Sequence, residues 1–208
     1  IMTLVVYQKV FKFTHNDLHI NNIMYVETKK EFLYYVYNGQ YYKIPTFGKI
    51  YKIIDFGRSI YTFKNNVICS NSFASFGDAA GQYNFEPFMN QNKARLEPNY
   101  SFDLCRLACS LLDTFMDMYK DDDSDYEDLL NLINEWCMDD NGKNILYKSN
   151  GSERYPDFKL YKMIARNVHK HTPENQLGKE IFDIYKVTRK TINKKANILN
   201  IDNLEPQY

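Results

Sequence analysis

The chain has 208 residues, of which 44% are hydrophobic, enough to bury one sizeable core. Its length allows two domains at most, one being favoured. Lysine plus arginine and aspartate plus glutamate both number 26, so a formal charge of zero offers no bulk attraction for nucleic acid or a membrane surface. No apolar run approaches the roughly eighteen residues that span a bilayer. The start also lacks the basic, apolar and small-residue order of a signal peptide, so a soluble cytoplasmic protein with no nucleic-acid or membrane partner is expected.

In chain order, the first informative string is residues 15–22 (HNDLHINN), read as a tight loop leaving Phe11 and Phe13 and leading into a strand over 23–26. The second is residues 53–57 (IIDFG), in which Asp55 ends a strand over 51–54. If these strands are neighbours, Asp17, Asn22 and Asp55 gather around one point. Such a cluster suits a divalent cation beside a hydroxyl nucleophile, which is phosphoryl-transfer chemistry. Between them, residues 31–44 (EFLYYVYNGQYYKI) form two tyrosine-rich runs around Asn38-Gly39. That dipeptide tolerates the positive φ of a type I′ turn and predicts an inserted hairpin, either self-packed on the surface or offering a docking surface. Pro45, Thr46, Phe47 and Gly48 then turn the chain back.

Residues 58–97 carry Gly77, Gly81 and Pro87 with little periodicity and read as a long loop. From Ser101 the series Phe102, Leu104, Cys105, Leu107, Ala108, Leu111, Leu112, Phe115 predicts a wide-faced, buried central helix with Asp103 in its first turn. Asp121, Asp122, Asp123 and Asp125 precede a helix marked by a capping box of Ser124 and Glu127. They lack the glycine and spacing of an EF-hand and read as a solvated cap. Further helices are expected over 156–168 and, from the Thr172 cap and Pro173, to 187. The basic run 189–195 is expected to be a solvated face. Cys69, Cys105, Cys109 and Cys137 form no CxxC pair, so reduced thiols are expected, with Cys105 and Cys109 packed in the core rather than forming half a metal site.

The two strings resemble the HRDxxxxN catalytic loop and the DFG motif of the protein kinase-like superfamily. The resemblance implies an α+β, mainly helical large lobe, with its catalytic loop at 15–22, hairpin insert at 31–44, DFG at 55–57, activation segment at 58–97 and helical subdomain at 101–208. By it, Asp17 accepts the proton of the substrate hydroxyl and His15 and His19 complete the catalytic loop. Asn22 and Asp55 hold Mg2+ beside ATP, with Phe56 and Gly57 finishing the DFG. Asp103 would anchor the loop backbone, or else only complement the helix dipole. The asparagine, lysine, isoleucine and tyrosine bias of AT-rich coding extends the likeness to kinase-like proteins of giant viruses.

Three departures qualify the pattern. Asn16 stands where most protein kinases carry arginine. His19 stands where serine/threonine kinases carry lysine, a histidine resembling the choline and aminoglycoside kinase branches or haspin-like kinases. Asp17 and Asp55 are 38 residues apart, about twice the usual interval, the hairpin supplying the excess. An Ala-Pro-Glu counterpart is only partly matched, at 84–87 or 96–98. Only 14 residues precede His15, so a small lobe from upstream sequence or another chain is expected to complete the nucleotide cleft. The expected reaction is ATP- and Mg2+-dependent transfer to a protein serine or threonine, with very weak ATP binding and little turnover by these 208 residues without the small lobe. A non-enzymatic scaffold and a small-molecule phosphotransferase are the alternatives. A zinc hydrolase using His15 and His19 fails because Asn16 occupies the place of the required glutamate base.

Overall fold

A computed structural model describes residues 1–118 and 126–208. The fold is α+β. Among the described residues no helix is long and apolar enough to cross a membrane. The aspartates at 121, 122, 123 and 125 and the Ser124 half of the expected capping box lie outside the described residues.

The chain opens with a helix that the sequence pattern did not announce, α1 (Met2–Phe11), which ends where Lys12 turns left-handed at φ 50°. It carries no side-chain cap, and its apolar positions serve two different clusters. Leu4 joins the main core, while Met2 and Val5 join a second one with Tyr37, Tyr42, Leu177 and Ile201. A helix that divides its apolar residues between two cores has no single stripe for periodicity to detect.

Strands β1 (Ile23–Glu27) and β4 (Lys49–Ile53) form an antiparallel ribbon in register from Ile23 opposite Ile53 to Glu27 opposite Lys49. This brings the end of the 15–22 loop against the start of the DFG string. The intervening hairpin, β2 (Phe32–Tyr37) and β3 (Gln40–Pro45), turns at Asn38 (φ 48°) and Gly39 (φ 71°) as the dipeptide predicts. It does not pack only on itself. Strand β7 (Lys186–Val187) pairs with β3 and β8 (Ile198–Asn200) runs parallel to β2, giving a four-stranded sheet of order β7-β3-β2-β8. Asp202 closes the arrangement, its carboxylate accepting from the backbone N–H groups of Asn38 at 2.7 Å and Gly39 at 2.9 Å. The basic run after Val187 is mainly exposed, apart from the buried Ile192.

The 58–97 stretch is largely irregular, as expected, but holds a small hairpin of β5 (Tyr61–Phe63) and β6 (Asn66–Ile68). Helix α2 (Phe102–Met118) is the central element, with Phe102, Leu104, Cys105, Ala108, Cys109 and Leu112 buried. Burial pushes the Cys105 thiol up, and the contact with Cys109, more than burial, pushes the Cys137 thiol up, their sulfurs lying 4.0 Å apart inside the core. Helix α3 (Glu127–Trp136) starts with Tyr126 as its N-cap residue, which makes no side-chain capping bond. Helix α4 (Phe158–Asn167) begins two residues later than Pro156 suggests, because Asp157 takes φ 54° and cannot continue a helix.

The expected helix over 173–187 is corrected. Thr172 caps it as anticipated, accepting from Asn175 N at 3.3 Å, but α5 (Pro173–Gln176) is one turn long. Gly178 follows, Lys179 is extended (ψ 144°), and a 3-10 segment over Glu180–Tyr185 delivers the chain into β7. Pairing of Val187 with Tyr41 requires extended backbone there, and that tertiary demand overrides the local helical pattern.

Candidate functional site

The 15–22 loop is shaped from beneath. Before it, Thr14 pairs with Ile60 through two backbone hydrogen bonds of 2.8 and 2.9 Å, tying the entrance of the loop to the segment after the DFG string. Asn16 then takes a left-handed φ of 63°, a region that asparagine tolerates better than most residues. Asp103, fully buried in the first turn of α2, accepts from His15 N with one carboxylate oxygen and from Asn16 N with the other, both at 2.8 Å. Burial raises the Asp103 carboxyl above its ordinary range, opposed by these two N–H donors and by His15.

Asn16 is bonded on both sides of its side chain. Its amide donates to Thr14 O at 3.2 Å, Thr14 Oγ1 at 3.0 Å and Arg58 O at 3.0 Å, and its carbonyl accepts from the Tyr83 hydroxyl at 2.8 Å. A buried amide satisfied on every side fixes the loop without carrying charge. His15, also buried, places Nε2 2.9 Å from the carbonyl of Ile54 and packs its ring against Phe13 and Phe56, at 6.3 and 5.6 Å between centroids. It thus joins the loop to the strand before Asp55 and packs at a tilt against Phe56, a structural position.

The two candidate metal ligands are held by that junction. Asn22 accepts from Ile54 N at 3.0 Å, so its backbone abuts the residue preceding Asp55. Its side-chain nitrogen donates to Asp17 O at 2.9 Å and lies 3.2 Å from His19 Nε2, a contact that orients the amide by its nitrogen. Asp55 takes φ 60°, a costly conformation for a residue with a Cβ, and accepts from Gly57 N at 3.3 Å. An amide oxygen and a carboxylate are the hard donors magnesium prefers, and two protein ligands suffice where phosphate and water complete its shell. Among the described residues no group of three or more His, Cys, Asp or Glu is arranged to hold a metal.

Asp17 projects from the loop with a side chain 20% exposed, and three partners surround it. The Tyr161 hydroxyl, from α4, donates to Oδ1 at 2.6 Å. The Arg58 guanidinium lies 3.6 Å from Oδ2 and also bonds Asp78 at 2.6 Å. His19 Nε2 is 3.8 Å from Oδ1, too far for a hydrogen bond. Burial of the guanidinium works against Arg58, but Asp78 and Asp17 hold it above its ordinary range, and Arg58 in turn draws Asp78 down. Its plane rests 5.6 and 5.5 Å from the Phe158 and Tyr161 ring centres, while Arg106, from α2, sits 5.1 Å from Tyr161 on its own side. Burial raises the Tyr161 phenol, so it stays a donor to Asp17 across neutral pH. Sequence reading identified none of Tyr161, Arg58, Arg106 or Asp78. Only Arg58, directly after Gly57, had a local signal.

The surroundings of His19 favour its neutral form. Partial burial lowers its pKa first, with Arg106 and His15 acting in the same direction and Asp17 and Asp55 opposing. A histidine depressed below its ordinary 6.5 binds fewer protons folded than unfolded. Its contribution to stability is therefore complete above that value and is lost as the pH falls toward the folded value. Between about pH 7 and pH 5 the native protein should lose more unfolding free energy than its His19→Gln variant, as measured by urea denaturation at each pH. Parallel curves would refute the neutral assignment.

No family model matches the chain, and comparison with curated proteins finds no match.

Proposed function

We propose that the chain is the catalytic lobe of a kinase-like phosphotransferase, moving a phosphoryl group from ATP to a serine or threonine hydroxyl of a protein. The observation that carries this reading is the lock between two strings 38 residues apart. Asp103 grips the first string by two backbone N–H groups, and the Asn22–Ile54 and His15–Ile54 bonds hold the second beside it. The lock leaves Asn22 and Asp55 at adjacent ends of one ribbon, with the Asp17 carbonyl bonded to the Asn22 amide.

In this reading Asp17 orients the acceptor hydroxyl and takes its proton, with Tyr161 fixing the carboxylate rotamer and Asn22 fixing the loop carbonyl behind it. Asn22 and Asp55 would hold magnesium, which neutralises the charge of bound ATP. His19, uncharged and turned to Asn22, sets the amide rather than serving as a cation, and Arg106 and Arg58 are the positive groups near the transferred phosphate. The β1–β4 ribbon, with Met24, Tyr25 and Val26 about half exposed, supplies one wall of a nucleotide cleft. A further lobe from the same or another polypeptide would close it. A two-stranded ribbon exposed on both faces is marginal alone and gains from such cover.

The test is a thermal-shift titration with magnesium and ATP, on this chain and on a version extended upstream by about a hundred residues, a usual domain size. A magnesium-dependent rise in Tm that Asp55→Asn removes is the expected result. An equal rise in Asp55→Asn, or no rise in either length of chain, would overturn the reading.

A further inference from the structure

A cavity of about 580 Å³ opens between the 73–96 stretch and α4. Four cationic side chains line it, Lys93, Arg95, Lys162 and Arg166, and among the described residues no carboxylate does. In a chain whose charges sum to zero, that is a local concentration of one sign. Arg95 is paired outward with Glu97, whereas among the described residues Lys93, Lys162 and Arg166 pair with no carboxylate.

The cavity is built rather than incidental. The buried Asn84 side chain donates to the carbonyls of Asn90, Lys93 and Ala94 at 3.2, 3.1 and 2.9 Å and accepts from Asn90 N at 2.7 Å, which fixes the wall that carries Lys93. Gly81, at φ 75°, turns its carbonyl toward Arg166 Nη2 at 2.8 Å, and Arg166 Nη1 bonds Lys162 O at 2.6 Å. Phe88 supplies an apolar side.

Its position connects it to the candidate base. Tyr83, on the cavity wall, bonds Asn16, and Tyr161, the neighbour of Lys162, bonds Asp17. An extended polypeptide advances about 3.3 Å per residue, so a chain whose hydroxyl meets Asp17 and that runs on past Tyr161 toward Lys162 would bring its near neighbours to this wall. We infer that the cavity receives an anionic side chain of the acceptor polypeptide, next to the hydroxyl that is modified. This inference rests on the phosphotransferase reading and assigns its substrate class, a serine- or threonine-containing segment flanked by acidic or already phosphorylated residues.

The test is fluorescence anisotropy without nucleotide, using a labelled serine-centred peptide with flanking glutamates, its glutamine counterpart and its phosphoserine counterpart, with inorganic phosphate as competitor. Either anionic peptide should bind about tenfold more tightly than the glutamine peptide, with a preference that weakens as salt is raised. Whichever anionic peptide binds more tightly identifies the source of the charge. The double variant Lys93→Glu, Lys162→Glu should lose the preference while circular dichroism and Tm stay native. Both positions project into the cavity rather than the core, so this variant should fold. Equal binding of charged and neutral peptides, a preference that survives charge reversal, or displacement by phosphate at the peptide's own concentration would each overturn the inference. Because no nucleotide is present, a peptide preference without magnesium-dependent ATP binding would keep this site and remove the phosphotransferase reading. The opposite pattern would remove this site alone.

Discussion

Replacing Asp103 by alanine should lower the unfolding free energy by about 3–5 kcal/mol, the largest stability effect expected of any single site described above. The carboxylate is wholly buried and is the hydrogen-bond acceptor for both His15 N and Asn16 N. Truncation leaves two buried donors unpaired, each costing about 1–3 kcal/mol, and a small cavity at the start of α2 adds to that. The left-handed Asn16 would lose the contacts that hold it there, so the effect should spread along the loop to Asp17. Asp103→Asn should be milder, since an amide oxygen can accept from one of the two N–H groups while its nitrogen faces the other. Urea denaturation of the native protein and both variants measures this. A loss below about 1 kcal/mol for Asp103→Ala would mean that an ordinary first-turn acid, favourable to the helix dipole and nothing more, occupies the position.

The ordering of the two variants also shows what was legible in the sequence. Motifs set by local chain direction could be read directly. Asn38-Gly39 turns the hairpin, residues 23–26 and 51–54 mark the ribbon to within two residues, and the apolar face of α2 stands out by period. The contact between Asp103 and the loop was reachable only through the resemblance, because nothing in a first-turn aspartate says which distant N–H it will meet. Where two remote segments must agree on a backbone conformation, the sequence was silent or misleading. Strand β8 reaches β2 from more than 150 residues away, and the 180s become 3-10 and strand because β3 offers a free edge. Tyr161 is the sharpest instance. In the primary structure it is one more aromatic on an amphipathic helix, and only the packing of α4 against α2 brings its hydroxyl to Asp17, 144 residues back.

That hydroxyl sharpens the expectation for the acceptor end of the site. On the proposed phosphotransferase reading, in a version of the chain extended upstream, Asp17→Asn should reduce phosphoryl transfer to a serine peptide by about 10²–10⁴-fold, the range a positioned general base contributes. The amide is isosteric and can still accept from Tyr161 through its oxygen, so the fold and magnesium-dependent ATP binding should be unchanged. The loss should fall on kcat rather than KM, because proton acceptance matters in the transition state and not in the bound ground state. Tyr161→Phe removes the contact that fixes the rotamer, together with the hydroxyl's interaction with Arg106, leaves Arg58 3.6 Å from the other oxygen, and should cost about tenfold in kcat by misplacing a base that is still present. The double variant Asp17→Asn, Tyr161→Phe should then be no worse than Asp17→Asn alone, since Tyr161 acts through Asp17. Turnover retained by Asp17→Asn would remove the base from this position. Additive losses in the double variant would instead give Tyr161 a role of its own at the reacting atoms.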